Sequence, residues 1–159
     1  MEKYHIRHPE KELNQKKINK IISEKKYMTI SICKANQPYL FTVNYAFNSE
    51  QNCFYFHSAL EGKKIDYLNA NQNIWGQIID DRGYLQTECN HAYQTVQFEG
   101  QVEFVKEIGE KRLALSLMMD QLEDNPEPLK KKMIKDNALK NVAICKVNVI
   151  EISGKKNGF

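Results

Sequence analysis

An antiparallel β-barrel with helices over its ends is the fold class this sequence predicts. Three observations point to it. Short segments alternate apolar and polar residues with period two, turn chemistry separates many of them by only a few residues, and the helical patterns stand at the start and in one late insertion. An alternating βαβ sheet would need a helix after nearly every strand.

In chain order, residues 10–26 carry Leu13, Ile18, Ile21 and Ile22 as a sparse helical stripe among lysines and glutamates, the pattern of a surface helix with one buried face. Residues 27–33 alternate, with Met28, Ile30 and Ile32 on one face and Thr29, Ser31 and Cys33 on the other. Asn36-Gln37-Pro38 is turn chemistry, and residues 39–47 form a second strand. Its faces are Tyr39, Phe41, Val43, Tyr45 and Phe47 against Leu40, Thr42, Asn44 and Ala46, the latter polar for a mid-strand face. A hairpin over residues 48–52 leads to a strand at 53–57, followed by a short helix at 61–69 with Ile65 and Leu68 inward. A strand at 74–79 is expected to turn through Asp80-Asp81-Arg82-Gly83 into a short strand at 84–88. Residues 94–106 form a long strand around Gly100, where a bulge or close backbone approach is expected. A helix at 107–122 has Leu113, Leu117 and Met118 inward. Asp124-Asn125-Pro126-Glu127-Pro128 breaks the pattern, a lysine-rich helix follows at 129–139, and the last strand covers 142–152 before a loose tail. No repeat or linker divides the chain, so 1–159 reads as one domain with its core at about 18–155.

Composition excludes several classes. The 159 residues are 42% hydrophobic and 27% charged with a net charge of +3, ordinary for a globular domain. The lysine pairs at 16–17, 25–26 and 63–64 and the run at 130–132 are scattered, so no nucleic-acid footprint is expected. No stretch approaches a membrane helix, the amino terminus lacks a signal-peptide pattern, and the four cysteines have no paired spacing. Buried, reduced thiols in a cytoplasmic protein are the expectation. Cys89 and His91 are one close pair of potential ligands without a second, so no metal site is assigned.

The chemistry concentrates at residues 57–68. His57-Ser58-Ala59-Leu60-Glu61-Gly62-Lys63-Lys64 leaves a strand and opens a helix. Helix starts present free N–H groups and partial positive charge, Ser58 adds a hydroxyl, Gly62 allows close approach, and Lys63 or Lys64 can neutralise an anionic oxygen. The alternative is a turn capped by Ser58 with two solvated lysines. His57 can act on an anionic ligand or serve as a structural hydrogen-bonder. Lys63, nearer the turn, is expected to matter more than Lys64.

The string Tyr55-Phe56-His57-Ser58-Ala59-Leu60-Glu61-Gly62-Lys63-Lys64-Ile65-Asp66-Tyr67-Leu68 resembles the phosphate-binding region of the pyridoxamine 5′-phosphate oxidase-like flavoproteins, nearest their nitroimidazole-resistance branch. Residues 38–47, 93–102 and 110–115 resemble, in order, the strand beneath the flavin ring, a later strand motif and the helix after it. The resemblance implies a six-stranded Greek-key split barrel. It implies a homodimer with FMN, or the larger FAD, in grooves at the subunit interface, and a flavin-dependent oxidoreductase acting on a small flat substrate such as a nitroaromatic. The alternative on the same barrel is a non-catalytic flavin- or haem-binding module. Carried over, Ser58, Gly62, Lys63 and Lys64 hold the phosphate, and Thr42, Val43 and Asn44 lie along the ring. Tyr93 and Thr95 act from the later strand, across the dimer, and His57 is the one catalytic candidate. Trp75 reads as core or as a ring neighbour.

Overall fold

The computed structural model describes residues 5–158; the reading of the amino terminus over residues 1–4, and Phe159 in the tail, lie outside them. Seven strands form, β1 (Tyr27–Lys34), β2 (Gln37–Asn44), β3 (Ala46–Asn48), β4 (Cys53–Ser58), β5 (Asn73–Leu85), β6 (Asn90–Phe104) and β7 (Ala143–Asn157). Five α-helices accompany them, α1 (Gln15–Glu24), α2 (Lys63–Ala70), α3 (Ile108–Leu122), α4 (Glu127–Met133) and α5 (Asp136–Lys140). The strands make one antiparallel sheet in the order β2-β1-β5-β6-β7-β4-β3, a mostly β split barrel with one strand more than the six expected.

Period-two alternation builds the interior. Met28, Ile30 and Ile32 of β1, Phe41 of β2, Phe54 and Phe56 of β4, Ile78 of β5 and Val96 and Phe98 of β6 meet in one cluster. Phe98 stacks on Phe54 at 4.4 Å. It fits because β5 has Gly76 there, where an added Cβ would stand 2.1 Å from the Phe98 ring. Ile18, Ile21 and Ile22 of α1 close one end. Ala114 and Met118 of α3 pack with Cys53, Tyr55 and Ile144 in a second cluster. The bulge expected at Gly100 lies at Glu99/Gly100, where a Cβ would meet the Asn148 carbonyl oxygen at 2.8 Å.

Several expectations are corrected. Residues 73–85 are one strand, not two. Asp81 accepts from the Gly83 N–H, and a register shift at Asp81/Gly83 absorbs the turn-like residues, so the turn falls after Leu85. The first helix is shorter than 10–26, because a 3₁₀ turn at Pro9–Lys11 and an Asn14 cap precede it. The lysine-rich helix divides into α4 and α5. Strand β7 runs on through Asn157: the Leu13 N–H donates to the Gly154 carbonyl (2.8 Å) and Glu12 bridges Lys155, so the chain start pairs with what was expected to be a loose tail.

Leu113 is exposed while Ala114 is buried in its place. Cys89 is an exposed turn residue at φ 49°, and only Cys53 and Cys145 are buried. Tyr45, Phe54, Tyr55, Phe56 and Phe98 are fully enclosed, and Trp75 is exposed rather than core.

The buried Asp80 carboxylate fastens α1 to the sheet. It pairs with Lys25, just past the end of α1, and with Arg82 (2.7 Å). Burial alone would raise its pKa, but the hydrogen bonds and charges of Lys25 and Arg82 outweigh that and hold it below the ordinary carboxylate value. A depressed native pKa contributes stability that is present above the unfolded value of about 3.9 and is lost as pH falls through the native value. Asp80→Asn is therefore expected to cost about 1.5–3 kcal/mol near neutrality, the range for hydrogen bonds to charged groups. Urea unfolding of parent and variant should converge as pH is lowered past the native pKa. Equal stabilities at neutral pH would refute this lock.

Candidate functional site

The sheet does not close between β2 and β4. Strand β3 covers the β4 edge only at Cys53–Tyr55, and among the described residues no ladder joins β2 to β4. Phe41 and Phe56 touch across this seam with ring centroids 6.0 Å apart. His57 and Ser58, which end β4, lie at the seam, and the chain passes from them through residues 59–62 into α2.

Gly62 precedes α2 at φ 122°, a conformation side chains rarely adopt, with open space where a Cβ would point. The Ser58 hydroxyl makes no hydrogen bond among the described residues, and nothing caps the helix start through a side chain. The reading of Ser58 as a cap is thereby overturned. The first-turn N–H groups of α2 have no partner within the helix.

The two lysines stand over different rings. Residues 64 and 68 share a helix face, and Leu68 is buried, so Lys64 is drawn inward. Its Nζ stands 4.7 Å from the Phe41 ring centroid. Burial holds its pKa below the usual lysine value. The adjacent Cys145 thiol, pushed up to about 12 by burial, is neutral and supplies no counter-charge. Lys25, Lys34, Lys130 and Lys146 all pair with carboxylates; Lys64 pairs with none among the described residues. Lys63 stands over the next ring along β2, its Nζ 4.6 Å from the Tyr39 centroid and 5.5 Å from that of Tyr67. His57 is exposed at the end of β4, and its pKa is held below its ordinary value first by partial desolvation of the ring and then by the Lys64 charge.

The remaining candidates follow from strand alternation. Val43 faces the core side of β2, half-buried, while Thr42 and Asn44 are exposed on the outer face. Thr42 Oγ1 meets Thr29 Oγ1 at 3.1 Å, and the Asn44 amide donates to the Lys26 carbonyl at 2.8 Å. Tyr93 and Thr95 lie on β6, which β1 and β5 separate from β2 and β7 separates from β4. One chain thus brings His57, Ser58, Gly62 and Lys64 together beside β2 and leaves Tyr93 and Thr95 elsewhere. Phe41 was missed as a site residue because strand periodicity marks it only as core. A separate cleft of about 620 Å³, lined by Glu103, Glu107 and Glu110 among others, has the wrong charge for a phosphate.

The fold is a split barrel with an uncapped, lysine-bearing turn beside its seam. Residues 14–156 match the model of the pyridoxamine 5′-phosphate oxidase family, and the chain belongs to that family. No curated protein sequence matches the chain.

Solved structures share the fold. A candidate 5-nitroimidazole antibiotic resistance protein from Bacteroides thetaiotaomicron is 24% identical, with 91% of this chain and 86% of that one covered at a TM-score of 0.77. A flavocytochrome of Azotobacter vinelandii is 15% identical, covering 100% and 73% at 0.80. A FAD-binding protein of Mesorhizobium loti is 19% identical, covering 92% and 97% at 0.65.

Lys64→Met should raise the His57 pKa, because the repulsive neighbour is gone, yet leave it below the ordinary value of about 6.5 because the partial desolvation persists. A histidine-selective proton NMR titration reads this directly. An unchanged His57 titration would show that the two groups do not share one field.

Proposed function

We propose that this protein binds a flavin nucleotide, FMN or FAD, with its phosphate at Ser58, Gly62 and Lys64. The observation that carries the reading is Lys64: a half-buried cation without a carboxylate partner, beside an unbonded serine hydroxyl and an uncapped helix start. A phosphate would answer all three at once. The fit extends along β2, whose seam edge is unpaired, so that a flat ring beside Thr42, Val43 and Asn44 meets backbone polar groups. The flavin-binding neighbours of the same fold agree with this ligand class.

When bound, the flavin supplies hydride or single-electron transfer to a small flat substrate. The resistance-type neighbour makes nitroaromatics the first substrates to assay. This chain's residues bind and orient. Lys64 neutralises the phosphate, Ser58 donates to it, and His57, less repelled once Lys64 is neutralised, becomes able to hold a proton beside the ligand.

We also propose a homodimer. The outer sheet face of β2, β1 and β5 carries Leu40, Tyr27, Trp75 and Ile79 exposed, around the paired rows Leu40–Ser31–Trp75 and Thr42–Thr29–Gln77. This face adjoins the proposed ring site at Thr42, so a second copy would cover both and could bring Tyr93 and Thr95 toward it. The flavin-loaded protein should scatter light as a dimer at micromolar concentration, and Ile79→Asp should shift it toward monomer. A parent that stays monomeric with flavin bound would refute the dimer.

Titration with FMN, followed by flavin fluorescence, tests the site. Lys64→Met should weaken binding by one to two decades, the equivalent of about 1.5–3 kcal/mol for a charged contact. Ser58→Ala should cost about 0.5–1.5 kcal/mol. A parent that binds no flavin at high micromolar concentration ends the reading. Binding with no turnover under any donor favours the non-catalytic module, and a Soret band in the purified protein points to haem.

A further inference from the structure

We propose that Lys63 is a positioning residue, not a phosphate ligand: stacked on Tyr39 and Tyr67, it holds the first turn of α2 against β2 and so fixes where Lys64 and residues 58–62 stand. The inference rests on the reading of that turn as an anion cradle. Its ground is a continuous row of contacts. The Lys34 ammonium bonds both Asp66 carboxylate oxygens (2.7 and 2.6 Å) and lies 5.9 Å from the Tyr67 centroid. Tyr67 meets Tyr39 edge-on at 5.4 Å, and Lys63 stands over both rings. Tyr39 lies 5.8 Å from Phe41, which in turn supports Lys64.

Three lysines flank the connected rings of Tyr67, Tyr39 and Phe41, each within the roughly 6 Å over which ring quadrupoles attract a cation. Lys63, Asp66 and Tyr67 share one face of α2 through i,i+3 and i,i+4 spacing, and all three are engaged with β1 or β2. Lys64 lies about 100° round the helix from that face. One lysine therefore fastens the turn while the other faces the seam.

Amide hydrogen exchange of residues 58–66 without flavin, and the FMN dissociation constant across a salt series, test this on Lys63→Ala, Lys63→Arg, Tyr39→Leu, Tyr39→Phe and the Lys63→Ala/Tyr39→Leu double variant. Lys63→Ala and Tyr39→Leu should each speed exchange and weaken FMN by about two- to fivefold, the worth of an exposed cation–ring contact. The double variant should be no worse than either single one. Lys63→Arg and Tyr39→Phe should behave as the parent, and Lys63→Ala should keep the parent's salt dependence of binding.

A shallower salt dependence in Lys63→Ala with unchanged exchange would place Lys63 on the phosphate and overturn the proposal. Additive effects, or singles indistinguishable from the parent, would overturn it too. Should the parent bind no FMN while exchange shows the expected coupling, the flavin reading falls and the positioning role stands.

Discussion

The rest of the structure depends on the failure of β2 to pair with β4. Tyr45 alone separates β2 from β3, and its ring is buried with the hydroxyl donating to the Ile22 carbonyl. That anchor ties the corner to α1, so the chain turns sharply and β3 goes to β4 while β2 stays with β1. Three residues of β3 cannot cover the six of β4, and Phe56, His57 and Ser58 keep one edge without a ladder partner. Unpaired edges invite association with other chains, and proteins blunt them with lysines or cover them with a helix. Lys63 and Lys64, which open α2 just past this edge, put two charges beside it.

Edge protection alone would explain two lysines, so the two purposes must be weighed. A protective lysine keeps its charge in water, where the cost of holding it is small. Lys64 instead gives up part of its hydration to sit over Phe41, and burial lowers its pKa. Ring contact returns only part of that cost. The same charge also works against protonation of His57. A partly desolvated lysine with no counter-charge, beside a histidine whose protonation its charge opposes, is improved by an anion, and edge protection gives no reason for it.

Much of this was legible in the sequence, for physical reasons that also mark where legibility stopped. Strands β1 and β2 follow from alternation, because half-buried pleats impose period two, and β4 follows from the hairpin turn before it. The bulge at Gly100 follows from a glycine where backbone approaches backbone. The Asp80–Gly83 stretch misled because turn residues also serve at a bulge, and only pairing with β6 distinguishes the two. The helix-face geometry that separates Lys63 from Lys64 was available from Leu68. What it could not supply is the destination. The inward direction at α2 leads to an open seam instead of closed core, a fact of strand order that no local pattern encodes.

Alternation also constrains how a ligand can use β2. Thr42 and Asn44 point outward and Val43 toward the core, so side chains from all three cannot meet one face of a flat ring. Two of them are already engaged, Thr42 with Thr29 and Asn44 with the Lys26 carbonyl. A ring lying along the strand is therefore read chiefly through backbone N–H and C=O groups of the unpaired edge, which are present whatever the side chains are. A phosphate at the proposed site would be held oppositely, since Ser58 and Lys64 would contribute through their side chains. Affinity should thus reside in a few named residues at the α2 turn, while the ring end tolerates substitution. Selection among substrates then falls to whatever faces the ring's far side, which in one chain is open outer sheet and in a dimer is the second copy.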